Sequence, residues 1–108
     1  MLFRSNAAAL PHGTRRLVEL ARAIAMRPSF ILLDEPAAGL DRQGLAWFSA
    51  RLARLRTDGC TVLMSTHARN ESLDLATRAV ALAGGRVEND SGTSGDPRAL
   101  LAALRTER

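Results

Sequence analysis

The chain has 108 residues, room for one small domain and not two. Its hydrophobic content of 46% suits a globular chain, and no apolar run is long enough to span a bilayer. The single cysteine, Cys60, cannot form an internal disulfide, which suits a cytosolic protein, and no secretory signal is visible. The formal net charge is +4, and all 15 basic residues are arginine. Those arginines are spread along helix-like segments and not gathered in a patch with aromatics, so no nucleic-acid partner is expected.

Met1-Leu2-Phe3-Arg4-Ser5 reads like the translated end of a sequencing adapter, so residues 1–9 are expected to be non-native or disordered and the true protein to extend further upstream. Leu10-Pro11-His12-Gly13-Thr14 is turn-like. A helix is predicted from Thr14, as N-cap, to Met26, with Leu17, Leu20, Ala21, Ile24 and Ala25 as its apolar stripe and Glu19 able to pair with Arg22. Arg27-Pro28 ends it.

Phe30-Ile31-Leu32-Leu33 is a short continuous apolar run followed at once by Asp34, Glu35 and Pro36. Such a run reads as a strand buried on both faces, releasing its last side chains at the carboxyl edge of a sheet, where α/β folds bind ligands. On the residues alone two readings of the acids stand. They are the polar start of a surface loop, or they hold a magnesium ion and activate a water.

Asp41 is predicted to cap a second helix from Arg42 to Thr57, buried along Leu45, Phe48, Leu52 and Leu55 and ended by Asp58-Gly59. Cys60 to Ser65 reads as a second buried strand, with Cys60 as a small buried hydrophobe, ending at Thr66-His67. A short helix is predicted over Ala68–Ala76. A hairpin follows, Arg78–Ala83 and Arg86–Glu88 around Gly84-Gly85. Asn89–Gly95 reads as a loop, and Asp96-Pro97 opens a last helix to about Thr106.

These residues resemble the nucleotide-binding subunits of ABC transporters. Ile31-Leu32-Leu33-Asp34-Glu35-Pro36 looks like the Walker B strand and its following glutamate. Ala37-Ala38-Gly39-Leu40-Asp41 looks like the D-loop, and His67 like the switch histidine. Leu10-Pro11-His12-Gly13-Thr14 is similar to a degenerate signature, with Glu19-Leu20-Ala21-Arg22-Ala23 continuing as the helix behind it. The motifs stand in family order over nearly all of Leu10 to Glu88.

The resemblance implies an α/β fold: a partial P-loop NTPase core of the RecA-like/ABC kind, a mainly parallel sheet with flanking helices and the phosphate-loop strand missing. The whole of 1–108 would be the C-terminal part of a single ATPase domain. Residues 10–27 would form the signature loop and helix, 28–88 the remnant of the catalytic core, and 89–108 a loop and terminal helix. The implied cofactors are ATP and Mg2+. Asp34 would hold the metal, and Glu35 would act as general base with His67 beside the γ-phosphate. Leu10, Pro11, His12, Gly13, Thr14 and Asp41 would face the partner subunit's nucleotide.

The implied partners are a second ATP-binding subunit and a transmembrane permease, placing the protein in the cytoplasm, peripheral on the inner face of the cell membrane. The implied function is ATP hydrolysis driving transmembrane transport. The Ser-Thr-His end and the stretch after it lean towards exporters of the haem or multidrug type. A branched-chain amino acid importer subunit, a translation factor or DNA-repair head of the same ATPase class, and a non-catalytic binding module are the alternatives.

Two departures stand out. Pro11 and His12 replace the serine and first glycine of the usual signature, and Pro11 brings neither a hydroxyl nor a backbone donor. With no lysine in the 108 residues, a Gly-Lys-Ser/Thr phosphate-binding loop cannot be among them. Alone, the chain is therefore expected to be inactive, with open strand edges and exposed apolar faces that favour aggregation.

Overall fold

The first helix, α1 (His12–Ala25), starts two residues earlier than its sequence signals suggest, so Thr14 lies in the first turn and does not cap. A Cβ on Gly13 would come 2.7 Å from the carbonyl oxygen of Gly39, so only glycine lets the start of α1 sit against that loop. Leu20 is buried, Leu17 and Ile24 are half-buried, and Ala21 and Ala25 are exposed. Glu19 pairs with Arg16 (Nη1–Oε2 3.9 Å), one turn back from the expected Arg22. The structure, a computed structural model, describes residues 12–67, 70–92 and 95–102. The expectations for 1–11, 68–69, 93–94 and 103–108 lie outside the described residues.

Strand β1 (Phe30–Asp34) pairs in parallel with β2 (Thr61–Ser65), with Phe30 opposite Thr61, Leu32 opposite Leu63 and Asp34 opposite Ser65. The helix α2 (Arg42–Thr57) connects them, packing against β2 and α1. Its buried stripe is Phe48, Leu52 and Leu55, with Leu45 half-buried. Leu20, Ile31, Leu33, Phe48, Leu52 and Leu55 make the core of the unit formed by residues 1–66. Trp47 is half-buried with the Arg51 guanidinium 5.8 Å from its ring centroid, a packing role.

Gly59 ends α2 in the left-handed region (φ +83°), and the Cys60 N–H reaches back to the Leu55 carbonyl at 2.9 Å. Cys60 is half-buried and precedes the strand, so it is part of the helix terminus and not of a buried run.

The expectation of strands buried on both faces does not hold. Ile31 and Leu33 are buried, whereas Phe30 and Leu32 are 54% and 69% exposed, and Leu63 on β2 is 56% exposed. The parallel register puts Phe30, Leu32 and Asp34 beside Thr61, Leu63 and Ser65, and all six are exposed. An apolar run that looks doubly buried is here covered on one face only, because the described helices of this unit supply one covering layer.

The unit formed by residues 67–108 carries a hairpin, β3 (Val80–Ala83) and β4 (Arg86–Asp90), antiparallel with an irregularity at Ala81/Leu82. Gly84 and Gly85 both adopt positive φ, as a two-residue hairpin turn requires. The second strand runs past Glu88 to Asp90, because Asp90 pairs opposite Val80 and takes two hydrogen bonds from Arg78 (2.6 and 3.0 Å). Those bonds hold the Asp90 carboxyl down at about 2 and raise the Arg78 guanidinium.

The short helix expected over 68–76 is a 3-10 turn, Glu71–Leu75, where the Asn70 side chain accepts from the Ser72 N–H at 3.0 Å. The last described helix, α3 (Arg98–Ala102), begins as expected with Asp96 accepting from the Arg98 N–H at 2.9 Å. Among the described residues no helix is long and apolar enough to cross a membrane.

The open face has a direct consequence. The purified 108-residue chain is expected to bind the dye ANS. Replacing Leu32 and Leu63 together by serine should cut that fluorescence and raise solubility without loss of far-UV circular dichroism. Unfolding by this double change would show that the face is buried.

Candidate functional site: the carboxyl edge of the parallel strands

β1 ends on Asp34 and β2 on Ser65, directly opposite each other in the ladder. Side chains opposite each other in a parallel register stand on the same face of the sheet. Here the Ser65 hydroxyl donates a hydrogen bond to Asp34 Oδ1. The next residue, Glu35, leaves the strand with φ +46°, a left-handed conformation that costs a non-glycine residue about 1–2 kcal/mol. Its N–H is held by the Ser65 carbonyl at 3.0 Å and by Ser65 Oγ at 3.2 Å. The Glu35 carbonyl accepts from Ala38 N–H at 3.2 Å, and the Ala37 carbonyl from Leu40 N–H at 3.2 Å, which folds 35–40 into a tight loop. One residue of β2 thus fixes both the side chain of the first acid and the backbone of the second.

The loop closes on Asp41. Its extended backbone and its Oδ1, which accepts from the Gly44 N–H at 2.7 Å, make it the N-cap of α2. Gly44 is buried, and a Cβ there would lie 3.2 Å from Asp41 Oδ1 and 3.3 Å from Leu40 Cβ.

The predicted site residues therefore separate. Asp34 and Glu35 stand together at the strand end. Asp41 is tied into the helix cap six residues on from Glu35. Gly13 sits against Gly39, and Thr14 is half-buried in the first turn of α1. His12 opens α1, and His67 is exposed two residues beyond the end of β2. Leu10 and Pro11 lie outside the described residues. Ser65 is the residue that sequence reading missed. The sequence carried the two strand ends, but only the observed register puts Asp34 and Ser65 on one rung.

The donor set at this edge is two adjacent carboxylates and a hydroxyl, all hard oxygens. Among the described residues no cluster of three or more His, Cys, Asp or Glu could cage a metal. Magnesium needs no such cage, since it is usually held by one or two carboxylates with waters and substrate phosphates. The residues thus fit the metal side of a phosphate-transfer site. They do not fit the phosphate cradle, whose lysine this sequence does not contain.

No family profile matches the chain. Curated proteins do. The chain is 41% identical over 100 residues to a probable ABC transporter ATP-binding protein of Azorhizobium caulinodans, covering 93% of this chain and 34% of that protein. The chain is a part-length homologue of the ABC transporter ATP-binding proteins. The lipopolysaccharide export system ATP-binding protein LptB of Acidithiobacillus ferridurans is 41% identical over 92 residues, with 85% of this chain and 36% of that protein covered. The chain thus spans about a third of the length of these curated relatives. A solved ATP-binding cassette of an ABC transporter superposes with a TM-score of 0.75 at 24% identity, covering 94% of this chain and 40% of that one. The same cassette in its ADP conformation gives 0.69 over 88% of the chain. The fold is accordingly that of part of an ABC-type P-loop NTPase domain, as its motifs implied.

The cap geometry can be separated from any chemistry at Asp41. Asp41→Asn keeps a capping oxygen and is expected to leave the stability of α2 nearly unchanged. Asp41→Ala should cost about 1 kcal/mol in denaturant unfolding. Equal stability of the alanine variant would rule out the cap.

Proposed function

We propose that the chain is the part of an ABC ATPase that supplies the metal-holding and water-activating acids, in a cassette whose phosphate-binding loop comes from further sequence. The observation carrying this reading is the Asp34–Glu35 pair at the carboxyl edge of a parallel strand pair, with Glu35 in a strained conformation tied to Ser65. Strain of this kind clusters at functional sites.

A bound magnesium supplies charge neutralisation on the phosphates and ordered water. Asp34 would hold it through water, its Oδ1 already accepting from the Ser65 hydroxyl. Glu35 takes a proton from the attacking water at its carboxylate. By the resemblance of the motifs, His67 would contact the γ-phosphate through a ring nitrogen. By the resemblance, the signature segment, Leu10 to Thr14, and Asp41 would face the nucleotide of a second ATP-binding subunit. The chain alone lacks the phosphate-loop lysine and is inactive.

The assembly drives transport through a permease, with the ATPase peripheral on the cytoplasmic face. Export is favoured over import because relatives such as LptB are named for an export system. The haem or multidrug class of cargo rests on the residues after His67 alone.

In the full-length cassette that carries this chain, Glu35→Gln is expected to lower ATP turnover by roughly 10²- to 10⁴-fold while ATP binding persists. Nucleotide-bound dimers should accumulate on size-exclusion chromatography. Turnover equal to wild type would overturn Glu35 as the base.

A further inference from the structure

We propose that Ser65 is the positioning residue of this site, setting the Asp34 carboxylate for the metal and pinning the strained Glu35 backbone for the water. The role rests on the reading of Asp34 and Glu35 just given. Four observations carry it.

Ser65 is the ladder partner of Asp34, so its placement is a property of the sheet register and not of a mobile loop. Its O–H has one donor proton, and that proton goes to Asp34 Oδ1. Its hydroxyl lone pair and its own carbonyl share the Glu35 N–H at 3.2 and 3.0 Å. Glu35 would otherwise relax from φ +46° towards the ordinary regions.

Ser65 is exposed, so burial does not account for it; the other residues of that face are Phe30, Leu32 and Leu63, which are apolar, and Thr61 and Asp34, which are polar. A hydroxyl on one carboxylate oxygen removes rotamer freedom from that carboxylate and does not engage its second oxygen. Partners of this kind, one step behind a metal ligand, typically change metal affinity by about 10- to 100-fold when removed.

The test uses the full-length protein and Mn2+, followed by the loss of its free-ion electron paramagnetic resonance signal, with thermal midpoints recorded alongside. Ser65→Ala is expected to weaken Mn2+ binding by about 10-fold or more. It should also raise the Mg2+ concentration for half-maximal ATP turnover by a similar factor, with the KM for ATP at saturating Mg2+ little changed. Ser65→Thr keeps the hydroxyl on a strand-favouring side chain and should restore both values.

Mn2+ binding by Ser65→Ala equal to wild type overturns the proposal. So does a Ser65→Thr variant as impaired as the alanine one, and so does a wild-type protein that binds no Mn2+. The two readings fail separately. If Glu35→Gln turns over ATP normally while Ser65→Ala still loses Mn2+, the general-base role falls and the Ser65 role stands. If Glu35→Gln is inactive and Ser65→Ala binds Mn2+ as wild type does, the reverse holds.

Discussion

The parallel pairing of β1 with β2 is the constraint on which the rest of the site depends. Its register brings Asp34 and Ser65 to the same rung. A slip of one residue would turn Asp34 to the opposite face from Ser65 and break the three hydrogen bonds between Ser65 and the acids. The register is in turn set by burial, because Ile31 and Leu33 must face the core made with Phe48, Leu52 and Leu55. A packing requirement of six apolar side chains, Leu20 among them, thereby fixes the position of one polar pair on the far face.

The loop after Asp34 is shaped from both ends. At its start Ser65 holds Glu35 in the left-handed region. At its end Asp41 caps α2, with Gly44 making room beneath the cap. Between them, the Gly39 carbonyl meets the bare Cα of Gly13 at the start of α1. Gly13 and Gly44 have little room for a side chain, so the loop after the acids packs closely against the starts of α1 and α2. In the proposed function this matters because phosphoryl transfer depends mostly on positioning and charge, and little on covalent chemistry.

Much of this was legible in the sequence. The apolar run before Asp34 and Glu35, the Asp41 cap, the Gly59 terminator and the Gly84-Gly85 turn each carry a local physical signal, and each formed the element it suggested. Three things were not legible, for different reasons. Thr14 carries a good capping side chain, but the contact of Gly13 with Gly39 lies between residues 26 apart in sequence and draws the helix start earlier. The half-exposure of Phe30, Leu32 and Leu63 depends on which layers cover the sheet, and an unbroken apolar run reads the same whether one face is covered or two. Ser65 looked like the last residue of a strand, and its role follows from the register with a strand 31 residues away.

The most direct measurement of the central claim is where a divalent ion sits. Mn2+ added to the full-length protein with ADP broadens the backbone amide resonances nearest to it. The account predicts the strongest broadening at Asp34, Glu35 and Ser65. Broadening centred on Asp90 or Asp96, with Asp34, Glu35 and Ser65 untouched, would contradict it.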